Sequence, residues 1–155
     1  MNKFMDNISK FISSFFGLGF IPFAPGTFGS LAGVGIYYFL WRKELIFYAV
    51  LFFLIMIGFA VSGRAERACG KKDPRFIVID EVVGSMIALI LVPVSLINII
   101  IVFALFRIMD VTKPFPIKRI ENMPSGFGIM LDDVVAGFYA NIIFYVVFSF
   151  ASCRI

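Results

Sequence analysis

The chain has 155 residues, 61% of them hydrophobic and 17% aromatic, with a formal net charge of +4. That apolar share exceeds the roughly 45–50% of soluble domains and marks an integral membrane protein, for which a single domain over residues 1–155 is the expectation at this length. Nucleic acid is excluded as a partner, because the positive charge sits in the polar loops of an apolar chain, where it suits anionic lipid headgroups.

The N-terminus, "MNKFMDNISKFISSFFGLGF", interrupts its apolar residues with polar ones. It runs into "FIPFAPGTFGS" without a small-residue cleavage site, so it is not a signal peptide. At helical spacing Phe4, Ile8, Phe11, Ile12, Phe15 and Phe16 fall opposite Lys3, Asn7 and Lys10. Such a helix either lies in the membrane interface or packs against the core. In "PFAPGTFGS", Pro25-Gly26 makes a turn and Thr27 or Ser30 lies near the start of an apolar helix, about 28–41. The free N–H groups there suit a phosphate, although Pro and Gly before a helix are also ordinary start signals.

Leu45 to Val61 is uncharged and close to the ~20 residues that a bilayer requires, and Val134 to Ser152 is a second span. Between them, Val82 to Phe106 reads as one crossing or as two short helices turning near Pro93. The flanking loops, 62–76 and 107–131, are both rich in Lys and Arg and so belong on the cytoplasmic side. That requires an even number of crossings between them and favours a re-entrant or hairpin helix pair around Pro93, its turn embedded and covered by protein. The predicted fold is all-α, a multi-pass helical membrane bundle.

Five of the ten acidic residues stand at the ends of apolar segments: Asp80, Glu81, Asp110, Asp132 and Asp133. Charges in such places are costly and usually functional. "IVIDEVVG" and "IMLDDVVA" align without gaps, as if two helices begin alike, with Asp80 and Asp132 as N-caps. Capping accounts for one acid in each pair. Two adjacent carboxylates repel, so the repeated pair points to a bound cation, and hard oxygen ligands favour Mg²⁺, which bridges readily to phosphate. In "FRIMDVTKPFP", Arg107, Asp110 and Lys113 follow at i, i+3 and i+6, and Pro114 ends the helix at Lys113. The segment is either a salt-bridged helix end or an acid held between two phosphate-binding cations.

The chain has no histidine, which removes phosphohistidine and serine–histidine chemistry. Cys69 and Cys153 have no metal-binding spacing. Cys69 and Arg75 in "CGKKDPR" do have the spacing of a cysteine phosphatase loop, but Pro74 lacks an N–H to wrap a phosphate and Asp73 repels one.

Taken in order, "PFAPGTFGS", "IVIDEVVG", "FRIMDVTKPFPI" and "GFGIMLDDVVAG" resemble the phosphatidylglycerophosphatase A family of bacterial membrane lipid phosphatases, over nearly the whole chain. The resemblance implies Mg²⁺-dependent hydrolysis of the terminal phosphate of phosphatidylglycerophosphate to phosphatidylglycerol, at the cytoplasmic side of the bacterial inner membrane. It implies catalytic and metal-binding roles for Asp80, Glu81, Asp110, Asp132 and Asp133, with Thr27, Arg107 and Lys113 on the phosphate. Many relatives have Trp at the position of Ile79, and some have histidines where this chain reads "GKKDPRF". The alternatives are a small ion or solute carrier with acidic cation sites, which predicts acids within the spans, and a structural membrane subunit, which predicts that the acids tolerate substitution.

Overall fold

The computed structural model describes residues 3–124 and 126–152. All regular structure among them is helical: α1 (Lys3–Ser13), a 3-10 turn (Leu18–Phe20), α2 (Pro25–Leu40), α3 (Glu44–Cys69), α4 (Ile79–Ala88), α5 (Leu96–Thr112), α6 (Ile117–Ile120) and α7 (Phe127–Ser152). Helices α3 and α7 are long and apolar enough to cross a membrane. Cys153 lies outside the described residues.

Helix α4 is the centre of the packing. It is only ten residues long, and nine of them are buried, leaving Glu81 half-buried. Its main neighbours are α7 and α2. Glycines let both helices come close. A Cβ on Gly33 of α2 would lie 2.4 Å from the Val82 carbonyl oxygen, and one on Gly137 of α7 would lie 2.4 Å from that of Gly84. Buried Val82, Val83, Met86 and Ile87 of α4, Phe106 of α5 and Met130 of α7 fill the space between the helices.

Residues 89–95 break the segment from 82 to 106 into α4 and α5. The carbonyls freed by that break find side-chain donors. Asn141 Nδ2 donates to the carbonyls of Ala88 and Ile90, 2.9 Å from each, and the hydroxyls of Tyr37 and Tyr145 donate to those of Val92 and Leu91. A chain break in an apolar setting is tolerated only with such partners.

Several local expectations change. Helix α3 continues past Val61 to Cys69, so residues 62–69 are helix rather than loop, and Gly70 closes it in a left-handed conformation with its N–H on the carbonyls of Glu66 and Arg67. The acid pairs are not N-caps. Val78 occupies the N-cap of α4, and α7 starts at Phe127, five residues before Asp132. Gly126, with a φ of +75°, turns the chain into α7 early because a larger residue would strike Gly63 of α3. In α1 the buried stripe is Asp6, Ser9 and Ser13, with Asp6 2.8 Å from Arg64 of α3, while Phe11 faces outward. The helix packs on the core by its polar side, and Phe11 is left for an apolar surrounding. As expected, α5 ends just before Lys113.

The close approach of α2 to α4 has a direct test. Gly35, two residues from Gly33 on the same helix, has open space around its Cβ position. Gly33→Ala should lower the thermal midpoint in detergent, whereas Gly35→Ala should leave it level or raise it, since Ala favours a helix by roughly 1 kcal/mol over Gly. Equal effects at the two positions would show that the glycine contact is not what sets this spacing.

Candidate active site

Three of the five predicted acids meet. One carboxylate oxygen from each of Asp80, Glu81 and Asp133 lies within 4.8 Å of the others. The first two come from the first turn of α4 and the third from the second turn of α7, carried together by the glycine-mediated packing of those helices. Asp80 and Asp133 are buried. One oxygen on each of the three, Asp80 Oδ1, Glu81 Oε2 and Asp133 Oδ1, is buried without a hydrogen-bond partner.

Coulomb's law sets the cost of this grouping. Two like charges about 4.8 Å apart at an effective dielectric of ~20 repel by roughly 3 kcal/mol, so three ionised pairs cost on the order of 10 kcal/mol. That is comparable with the whole stability of a small domain, about 5–15 kcal/mol. The site therefore exists with its carboxylates partly protonated or with a cation among them. Burial, followed by the charge of Glu81, pushes Asp80 well above the usual carboxylate range. Burial raises Glu81 from 4.5 to about 8, against an opposing effect of its contact with Asp80. Both acids lie outside the two candidate membrane spans.

The nearby cations do not neutralise this group. Arg107 Nη1 is 2.8 Å from Asp110 Oδ2, and Asp110 faces Asp133 and Glu81 from α5. Lys113 Nζ is 2.7 Å from Asp132 Oδ2 and 3.0 Å from Glu121 Oε1. Burial alone would pull the Lys113 ammonium down, but the hydrogen bond and charge of Asp132, then those of Glu121, hold it above its usual value. Among the described residues, no cation is ion-paired with Asp80, Glu81 or Asp133. Oxygen-only donors, three orphaned buried oxygens and an uncompensated negative charge fit a small hard divalent cation.

The N-terminus of α2 borders the same place. Gly26 sits so close to Glu81 that a Cβ there would lie 2.4 Å from Glu81 Oε1, and the positive end of α2 faces that acid. Arg107 Nη1 also donates to Ser30 Oγ at 3.2 Å, and the Ser30 hydroxyl donates to the Gly26 carbonyl at 2.9 Å. Thr27 lies on the wall of a cavity of about 860 Å³, with Glu81 and Arg107 in the same lining. Sequence reasoning missed Glu121 as a partner of Lys113 and Asp73 as a cavity residue; both come from loops that helical periodicity does not reach.

The charge crowding makes a stability prediction for chelated, metal-free protein. Because the folded state holds the Glu81 proton up to about 8 and an unfolded chain releases it near 4.5, stability should be greatest below that window and fall as pH rises through it. Glu81→Gln removes this cost and should raise the midpoint at pH 8 by about 5 °C. A lower midpoint for the variant in chelator would mean that the protein already compensates the carboxylate.

Comparison with known proteins bears on the chemistry. The sequence model of the family described as Phosphatidylglycerophosphatase A matches residues 11–148. A Haemophilus influenzae protein named "Phosphatidylglycerophosphatase A" is 41% identical over 138 residues, covering 85% of this chain and 83% of that protein. An Escherichia coli protein of the same name is 35% identical over 144 residues, covering 91% and 84%. A Bacteroides thetaiotaomicron protein named "Putative phosphatidylinositol-3-phosphatase" is 39% identical over 140 residues, covering 85% and 88%. No solved structure matches. With this match running through α4, α5 and α7, which carry the acid cluster and its neighbouring cations, the chain belongs to the phosphatidylglycerophosphatase A family of phosphatases.

Proposed function

We propose that this chain hydrolyses the terminal phosphate monoester of phosphatidylglycerophosphate, releasing phosphatidylglycerol and phosphate, with Mg²⁺ as its cofactor. The observation that carries this reading is the trio of buried carboxylates with orphaned oxygens beside two cations and a large cavity. Family membership supports the substrate class, and two relatives bear the corresponding name.

Asp80, Glu81 and Asp133 would hold the ion, with Asp110 beside them. The chemistry that Mg²⁺ would supply there is neutralisation of phosphate charge and acidification of water. Arg107, fixed by Asp110 and Ser30, presents its remaining guanidinium N–H groups to the non-bridging oxygens. Lys113 stays charged between Asp132 and Glu121; it lies outside the cavity lining that Thr27 and Arg107 share, and its part in phosphate binding is the positive charge it adds beside the site. Thr27 on the cavity wall donates its hydroxyl. Water is the attacking group on this reading, with an aspartyl-phosphate on Asp110 or Asp132 as the alternative; the pairing of each of these acids with a cation, at 2.8 and 2.7 Å, favours water.

On this reading the chain is one domain of the bacterial cytoplasmic membrane. Helices α4 and α5 form the re-entrant pair around Pro93, and the site opens to the cytoplasm. The Lys and Arg content of the two flanking polar stretches supports that orientation.

Purified protein tests the assignment. Mg²⁺-dependent phosphate release should be faster from phosphatidylglycerophosphate than from phosphatidic acid or phosphatidylinositol 3-phosphate. Asp80→Asn and Asp133→Asn should each reduce kcat by at least about 100-fold while remaining folded. A preference for the inositol lipid would move the substrate to that named for the Bacteroides relative. Wild-type rates in both variants would remove the carboxylate site.

A further inference from the structure

The cavity beside the acid cluster is far larger than one phosphate needs. Its volume of about 860 Å³ is in the range that holds an entire multi-group ligand. Four cations line it: Lys71, Lys72, Arg75 and Arg107. Arg107 is matched by Asp110, but among the described residues none of the other three is in an ion pair. Lys72 donates to the neutral Asn122 Oδ1 at 3.3 Å, which leaves its charge intact. Asp73, between them in the chain, is directed toward the acid cluster, where its charge acts on Asp80 and Asp132 and meets that of Lys113, and it forms no ion pair with the three cations.

The stretch carrying these cations is anchored at both ends. Gly70 closes α3, Pro74 is buried, and Phe76 stacks on Phe20 with ring centroids 5.5 Å apart. Phe20, Ile21 and Pro22 supply an apolar part of the lining, and Phe20 is exposed. The cavity thus offers a matched cation next to the acid cluster, a set of unmatched cations elsewhere on its wall, and an apolar margin.

We propose that Lys71, Lys72 and Arg75 form a second anion subsite, which holds the phosphodiester of the substrate while the terminal monoester lies at Arg107 and the acid cluster. The proposal rests on the phosphatidylglycerophosphate reading above. It makes the enzyme a reader of two phosphates in one headgroup, and selectivity over phosphatidic acid, which has only one, follows from the subsite. A lipid phosphodiester is also present in any anionic neighbour of the bilayer; the substrate's own is favoured because these cations share a cavity lining with Arg107 and Glu81.

The test uses the full chain in neutral detergent micelles with Mg²⁺. Wild type is assayed first on phosphatidylglycerophosphate and phosphatidic acid, followed by the double variant Lys71→Ser/Arg75→Ser. Losing charge-assisted contacts to a phosphate should raise KM for the two-phosphate lipid about tenfold with a much smaller change in kcat, and lower its kcat/KM advantage over phosphatidic acid about tenfold. Arg75→Lys alone should keep most of the advantage. An equal loss on both lipids, or an unmoved ratio, overturns the subsite while leaving the function in place. A KM effect that appears only after phosphatidylserine is added to the micelles overturns it in favour of a bilayer contact. A wild type that releases no phosphate from phosphatidylglycerophosphate overturns the functional reading and the subsite together.

Discussion

The repulsion among Asp80, Glu81 and Asp133 is the constraint on which the rest of the structure depends. Three carboxylates whose oxygens lie within 4.8 Å of one another, each with a buried and unpartnered oxygen, would separate if the backbone allowed it. It does not. Asp80 and Glu81 are consecutive on a helix walled in by α2 and α7, and the approach of α7 is fixed by contact between Gly137 and Gly84. Packing holds the acids where electrostatics alone would not leave them, so the fold keeps a cost that a divalent cation can offset.

Around that uncompensated charge the adjoining ionic groups, Asp110, Arg107, Lys113 and Asp132, are paired. Asp110 holds Arg107, and Asp132 and Glu121 hold Lys113. The division leaves a negative cluster and, beside it, cations whose positions are fixed by their own partners. On the function proposed above, preorganised charge of this kind would stabilise a transferring phosphoryl group with little reorganisation at the moment of reaction. The short α4 belongs to the same design: its end and the following turn expose carbonyls that Tyr37, Asn141 and Tyr145 satisfy, so the helix can stop inside an apolar bundle and its acidic first turn can stay at the cavity.

Much of this was legible in the sequence. Charges at the margins of apolar segments are rare enough to stand out, which is why Asp80, Glu81, Asp110, Asp132 and Asp133 were all visible as candidates, and Pro114 marked the end of α5. The different destinations of Asp132 and Asp133 were not. Neighbours on a helix point about 100° apart, so when Asp133 faces Asp80, Asp132 turns toward Lys113. The two acid motifs look alike as strings but sit in different turns of their helices, because the start of α7 is set by Gly126 against Gly63, a contact between distant parts of the chain. The Lys and Arg content of residues 62–76 also read as loop, whereas in the fold 62–69 continue α3 and Arg64 meets Asp6 of α1. Of the two hydroxyls considered near the start of α2, Thr27 lines the cavity, whereas Ser30 is the one bonded to Arg107.

The central claim is that buried carboxylate crowding creates a cation site, and direct binding tests it without any substrate. Manganese titrated into chelator-stripped protein, followed by loss of the free-ion EPR signal, should show saturable binding that Asp80→Asn and Asp133→Asn each weaken by at least about tenfold. Binding of the same strength in wild type and both variants would contradict the account.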